Sequence, residues 1–154
     1  MTGAETAIRP VGLFDAAVIS LLHAECFDEA RWDERAVTEI LALPGAYGFI
    51  ALEHEVPGGF VLARVAADEC EILSLGVRRA SRQSGLGREL LRAALRFANA
   101  SRARAVHLEV AEDNSVARHL YAVEGFTVTG RRGDYYRRAG STEIAALVLS
   151  RDLP

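Results

Sequence analysis

Three β-rich runs follow one another between Tyr47 and Val77, "YGFIALE", "GGFVLARVA" and "CEILSLGV", with only "HEVP" and "ADE" between them. Apolar, aromatic and β-branched residues fill the runs, which marks each as a strand. Links this short cannot return the chain for parallel pairing, which takes on the order of a dozen residues or more. The runs therefore predict an antiparallel meander, around which every other element has to be placed.

Before the meander the apolar period is helical. A short strand at about Ala7 to Val11 leads into "LFDAAVISLLHAECF", read as a helix capped by Asp15 with Val18, Ile19, Leu22 and Cys26 at helical spacing. A second helix runs from about Glu34 to Leu43 and stops at Pro44-Gly45. After the meander, Leu86, Leu90, Leu91, Ala94, Leu95 and Ala98 give one apolar face to a helix from about Gly85 to Ala100, with Arg88, Arg92 and Arg96 outward. "AVHLEV" is a strand, "NSVARHLYAVEG" a short helix begun by Asn114 or Ser115 and ended by Gly125, and "FTVTGRR" and "EIAALVLS" are two closing strands. The order is mixed α/β. With 154 residues and no repeat, linker or low-complexity segment, one domain spanning 1–154 is expected.

Several function classes drop out. No apolar run approaches the roughly 18 residues of a membrane span, and "MTGAETAIRP" lacks the basic-then-apolar layout of a signal peptide, so a cytoplasmic protein without membrane contact is expected. Cys26 and Cys70 lie far apart without metal-ligand spacing, and the four histidines show no H-x-x-x-H pattern; core thiols and no metal are the expectation. Charge is unevenly divided: before residue 78 there are 4 Arg against 13 acids, a net of −9, and from Arg78 onward 14 Arg against 8 acids, a net of +6. An anionic ligand belongs on the second half.

That half opens with "SRQSGLGRELL", two glycines and a polar run directly before a helix. A nucleotide-triphosphate loop would need G-x-x-x-x-G-K-S/T, and the chain contains no Lys. A dinucleotide fingerprint needs a third glycine where Leu90 stands, and too few βαβ units follow. The remaining ligand reading is a pyrophosphate such as that of coenzyme A, held by backbone N–H groups from about Gln83 to Arg88, with Arg82 and Arg88 adding charge. Taken alone, Gly85 and Gly87 also suit an ordinary turn into a helix.

The wider context resembles the GNAT acyl-CoA-dependent N-acetyltransferases, whose pattern is a strand, then Q/R-x-x-G-x-G/A, then a helix. "EILSLGVRRASRQSGLGRELLRAAL" is similar, with Arg82 or Gln83 leading through Ser84 into Gly85-Leu86-Gly87. "LEVAEDNSVARHLYAVEGF" resembles the family's later motif through Asn114, Tyr121, Gly125 and Phe126. Within the family the RimI-type ribosomal-protein N-terminal alanine acetyltransferases look closest, on "EILSLGV", on the spacing of "LEV", "N" and "LY", and on "RRGDYY". Departures lie near the expected peptide channel, where Arg137 stands in place of a usual proline and "EIAALVL" lacks the family's acidic residue and Met. The resemblance implies a mixed, mostly antiparallel sheet of six to seven strands flanked by about four helices, acetyl-CoA as co-substrate, and direct transfer within a ternary complex.

Acetyl transfer from a thioester to an amine needs a base for the amine, a donor for the carbonyl oxygen and an acid for the leaving thiolate. Glu109 lies in an otherwise apolar strand, where a carboxylate is costly unless paired or functional, and its position matches the RimI-type catalytic glutamate. A structural carboxylate is the competing reading. His107 shares its face and reads as a packed or hydrogen-bonded side chain, while Glu69 and Glu71 are reserve bases. By resemblance Tyr121 is the general acid, a role its phenol suits with an ordinary pKa of about 10; alone it would read as core. A backbone N–H of Leu75 or Val77 is expected to meet the carbonyl, with Gly76 read either as permitting a bulge there or as a packing accommodation. Asn114 reads both as a coenzyme contact and as a helix cap. Tyr135 and Tyr136 are candidates for the acceptor channel or, alternatively, edge-strand aromatics.

Protonation favours a peptide α-amine as acceptor: at a pKa of about 8 roughly a tenth is neutral at pH 7, against about 0.04% for a Lys amine. The expected partner is a protein N-terminus, that of a ribosomal protein by resemblance. A small-molecule amine is the alternative acceptor, and a non-catalytic acyl-CoA-binding module the alternative class; nucleic acid is not expected, and the oligomeric state is not legible.

Overall fold

The structure, a computed structural model, describes residues 5–27, 32–137 and 143–154, with backbone alone for 134–137 and 143. Its elements are β1 (Thr6–Pro10), α1 (Ala16–Cys26), α2 (Glu34–Leu41), β2 (Ala46–Glu53), β3 (Val56–Ala66), β4 (Glu69–Val77), α3 (Leu86–Ala100), β5 (Ala105–Ala111), α4 (Ser115–Val123), β6 (Thr127–Arg137) and β7 (Glu143–Asp152). The seven strands form one sheet in the order β1-β2-β3-β4-β5-β7-β6, in which β4 and β5 are parallel and the other described neighbours antiparallel. The expected fold class is the observed one.

The meander forms as its short links require. His54 (φ 48°) and Glu55 (φ 68°) both take the left-handed conformation, which gives β2–β3 the two-residue turn whose twist matches its strands. Layers then follow from the apolar faces. Leu86, Leu90, Leu91, Ala94, Leu95 and Ala98 of α3 are buried against Cys70, Ile72, Val106, Leu108 and Val110 of the central strands, together with Tyr121 of α4 and Phe126. A fully buried leucine contributes about 1.5–3 kcal/mol, so this face outweighs the helix's exposed arginines in fixing its orientation. On the other side of the sheet, α1 and α2 bury Ala16, Ile19, Leu22 and Val37 against Ile50, Phe60 and Leu62. Cys70 sits in the first core, and Cys26 is half-buried beside β4; burial pushes both thiols up.

Asp15 departs from expectation. Its carboxylate accepts from the Gly12 amide at 2.7 Å and pairs with Arg9 at 2.9 Å, and makes no capping bond to α1. A 3₁₀ turn at Leu13–Asp15 precedes the helix, so the carboxylate faces back toward that turn's own start. The second helix also ends earlier than read, at Leu41.

The feature that shapes the site is a parting in the middle of the sheet. Strands β4 and β5 pair only over Glu69↔Ala105, Cys70↔Val106 and Glu71↔His107. Beyond Glu71 they separate, while β4 continues on β3 and β5 on β7. The register of β3 with β4 steps from Ala63↔Ile72 to Leu62↔Ser74, which leaves Leu73 as an extra residue. Such a bulge bends its strand and increases its twist, which accounts for the departure of β4 from β5. It also reverses the facing: Cys70 and Ile72 point to the α3 core, Leu73 to the α1 side, and Leu75 and Val77 again to the α3 core. Of the two readings of Gly76, the bulge is not observed, since the residue lies in regular register opposite Phe60. A Cβ on Gly76 would meet Cys26 Sγ and Phe60 Cε1 at 3.0 Å, so that glycine accommodates packing against α1.

Candidate active site

Two helices begin where β4 and β5 have parted. After Val77 the chain turns through Arg82–Gly85 into α3, and after Ala111 it turns through Asn114 into α4. A Cβ on Gly87 would lie 3.5 Å from Leu120 of α4 and 3.7 Å from Val77 of β4, so the start of α3, the middle of α4 and the end of β4 converge. The amides of Leu86, Gly87 and Arg88, in the first turn of the 15-residue α3, have no intrahelical acceptor, and among the described residues no side chain caps them. Leu86 is 1% exposed, its side chain packed into the α3 core.

The glycines here divide into two kinds. Gly85 caps α3 at φ 85°, a left-handed conformation that favours glycine, and a Cβ there would meet nothing within 4 Å. Gly87 has helical backbone, and a Cβ on it would make only ordinary van der Waals contact with the protein. Nothing in the fold demands glycine at 87, whereas a phosphate approaching helix N–H groups does; the uncapped amides fit that group. Gln83 is also left-handed at φ 65°, and the Ser84 hydroxyl donates to the Ser81 carbonyl, both of which tighten the loop.

The arginines of the loop have protein partners. Arg82 Nε donates to the Val77 carbonyl at 2.9 Å, tying the loop to the end of β4. Arg88 and Arg92, expected to face outward, reach Glu124 at 2.6 and 3.2 Å, with half of each side chain exposed and 7% of the Glu124 side chain. Burial alone would raise the Glu124 carboxyl; hydrogen bonds from the two arginines outweigh it and hold the group below the usual carboxylate range. Glu124, which drew no attention in the sequence, thereby locks α3 to the end of α4. Asn114 accepts from the Ala117 amide at 3.1 Å and caps α4.

The candidate acid and base lie on opposite faces of the sheet. Leu108 and Val110 enter the α3–α4 core, so Glu109 between them faces the α1–α2 side, while Tyr121 of α4 is 6% exposed, its ring edge-on to Phe126 at 5.7 Å between centroids. Glu109 has a quarter of its side chain exposed and forms an ion pair with Arg132 of β6, Nε to Oε1 3.2 Å. His107 reaches Glu69 at 3.3 Å, Glu71 lies opposite His107 in the register, and all three sit in the paired part of β4 and β5. The two reserve bases thus stand before the parting. Leu75 and Val77 lie beyond it, where β4 has no described strand on its β5 side. The Tyr135 and Tyr136 side chains lie outside the described residues. Sequence reading missed Arg132 although "GRRGDYY" displays it, since nothing local says which of two adjacent arginines faces Glu109.

Comparison with known proteins narrows the chemistry. The family described as Acetyltransferase (GNAT) family matches residues 17–126. N-alpha-acetyltransferase RimI of Mycobacterium tuberculosis is 42% identical over 132 residues, covering 82% of this chain and 82% of that protein. Among solved structures, the ribosomal-protein-S18-alanine N-acetyltransferase from Escherichia coli superposes with a TM-score of 0.89 at 20% identity, covering 96% of this chain and 94% of its own. Arabidopsis thaliana NAA60, solved with a bisubstrate analogue, gives 0.83 at 19% identity over 96% and 98%. At those identities the two structures speak for the fold alone.

Proposed function

The chain belongs to the GNAT family of acetyltransferases, and from that premise we propose that it acetylates the α-amine of a protein N-terminus, with the N-terminal alanine of a ribosomal protein as the expected acceptor. The observation that carries the reading is the parting of β4 from β5 immediately after Glu71↔His107, flanked by the uncapped start of α3 and by Glu109. The RimI relative supports the acceptor, as does the larger neutral fraction of an α-amine. No described helix is long and apolar enough to cross a membrane. We assign the reaction to the cytoplasm, where ribosomal proteins are made.

In this reading acetyl-CoA is a substrate whose thioester supplies the acetyl group. The amides of Gln83 to Arg88 bind its pyrophosphate, and Asn114, the cap of α4, contacts the coenzyme arm. A β4 amide at Leu75 or Val77 donates to the carbonyl oxygen as negative charge develops there, an effect of about 3 kcal/mol when the donor is preorganised. Glu109 takes a proton from the acceptor amine, directly or through water, and Tyr121 returns one to the departing sulfur. The acetyl carbon exchanges its C–S bond for a C–N bond, and no metal takes part. Opposite placement of the two groups suits the task, since amine and thiol then occupy different sides of one opening. Tyr135 and Tyr136 border the acceptor channel in this proposal.

The test measures thiol release from acetyl-CoA over matched pools of N-terminal peptides, an Ala-starting ribosomal one included, and small amines, with mass spectrometry of the products. Acetylation at the peptide α-amine is expected. Turnover confined to small amines would overturn the acceptor, and tight coenzyme binding without turnover of either pool would overturn the enzyme reading.

A further inference from the structure

Two bulges bracket one arginine in β6. The register with β7 runs Val128↔Leu149, Gly130↔Val148, Arg131↔Leu147 and Arg132↔Ala146, then resumes at Tyr136↔Ile144. Thr129 is therefore extra, and its hydroxyl reaches the Val148 carbonyl at 3.3 Å and the Ser150 hydroxyl at 3.2 Å. Leu147 and Leu149 enter the α3 core, so Val148 and Ala146 lie on the other face with Glu109, which is opposite Val148 in β5. Without the Thr129 bulge, Arg131 would stand opposite Ala146. With it, Arg132 takes that place, and Arg131 turns to Glu112 at 2.9 Å. Strand β7 separates Arg132 from β5, yet Arg132 crosses it to Glu109 at 3.2 Å. Its path is diagonal, between Ala146, which lies opposite Arg132, and Val148, which lies opposite Glu109. A bulge that re-aims a side chain beside a reactive group is a recurrent device of active sites.

We propose that Arg132 is a positioning residue for acetyl transfer, holding the Glu109 carboxylate by Oε1 so that Oε2 meets the acceptor amine. This rests on the reading of Glu109 as the base. A long carboxylate with a quarter of its surface in water has several rotamers, and one fixed ion pair selects among them. Arg132 itself exchanges no proton in this scheme. Its contribution is the orientation of the group that does.

The experiment compares steady-state kinetics of the full chain on an Ala-starting peptide for Arg132→Gln, Arg132→Lys, Glu109→Gln and the double variant Glu109→Gln/Arg132→Gln, with Arg131→Gln as a neighbouring-arginine comparison and melting temperatures throughout. Arg132→Gln is expected to lower kcat about 10- to 100-fold with peptide KM within about twofold, and Arg132→Lys to recover part of the loss. In the Glu109→Gln background the second substitution should cost nothing further, because the two residues act as a unit. Multiplicative losses in the double variant would overturn the proposal, as would an unchanged kcat, a loss matched by Arg131→Gln, or a change confined to KM or melting. Full activity of Glu109→Gln would remove the base assignment itself, and that arm reads it separately.

Discussion

Glu124 and Glu109 both face arginine, but the first has 7% of its side chain exposed and the second 25%. Glu124 is held by two arginines between the ends of two helices, whereas Glu109 is met from across a neighbouring strand on an open face of the sheet. A carboxylate enclosed by its partners has no side left for a reactant. One that keeps part of its surface in water, at the edge of an opening, does. The difference separates a carboxylate that fastens the fold from one placed to work on something that arrives.

The largest test of that contrast is Glu109→Gln, for which kcat is expected to fall about 10²- to 10⁴-fold while stability stays within about 0.5 kcal/mol, read by thiol release beside thermal melting. A comparable loss of stability would reduce Glu109 to a second Glu124. Conversely, Glu124→Gln should lower stability by about 1–2 kcal/mol in urea unfolding and leave kcat within about twofold. That figure is below the usual cost of breaking a buried pair because both guanidiniums left behind are half exposed. Gly87→Ala sharpens the comparison at the helix between them: alanine is the better helix former and meets no protein atom closely, so stability should rise by about 0.5 kcal/mol while KM for acetyl-CoA rises several-fold. Calorimetry and initial rates read the two arms, and an unchanged KM would leave Gly87 a packing residue.

The smallest expected effect is on pH. His23 is buried, stacked on Trp32 at 4.7 Å, and burial holds its imidazole below the ordinary 6.5. The unfolded chain therefore binds this proton first. Stability is complete above about pH 6.5 and declines as pH falls through the lowered value. Glu124, also lowered, contributes stability present above its ordinary 4.5 and lost as pH falls further. Two successive declines are expected in melting temperature against pH, the upper one absent in His23→Gln.

What could be read in the sequence was local. Tight links fixed the meander, the 3.6-residue spacing of Leu86 to Ala98 fixed the buried face of α3, and Asn114 announced the start of α4 by its cap. What could not be read depends on a partner strand or helix. The bulges at Leu73 and Thr129 exist only in relation to β3 and β7, so neither the parting of the sheet nor the choice of Arg132 over Arg131 shows in the chain alone. Glu124 looks like a surface residue in "YAVEGF" until α3 is laid over it. Gly76 suggested a bulge because glycine in a strand has two explanations, and only the approach of α1 decides between them.

Three residue pairs across the middle of seven strands also make a mechanical statement. To one side of that seam lie β1–β4 with α1 and α2, carrying most of the acids; to the other lie β5–β7 with α4, where charge is nearly balanced, the surplus of arginine falling on α3 and the segments that flank it. Asp68–Arg104 at 3.6 Å and Glu69–His107 at 3.3 Å clasp the two at the paired end. The molecule is thus two plates on a short hinge with α3 as a splint, and a molecule lodged in the open end acts as a strut between them. Filling that gap should slow amide exchange on both plates at once.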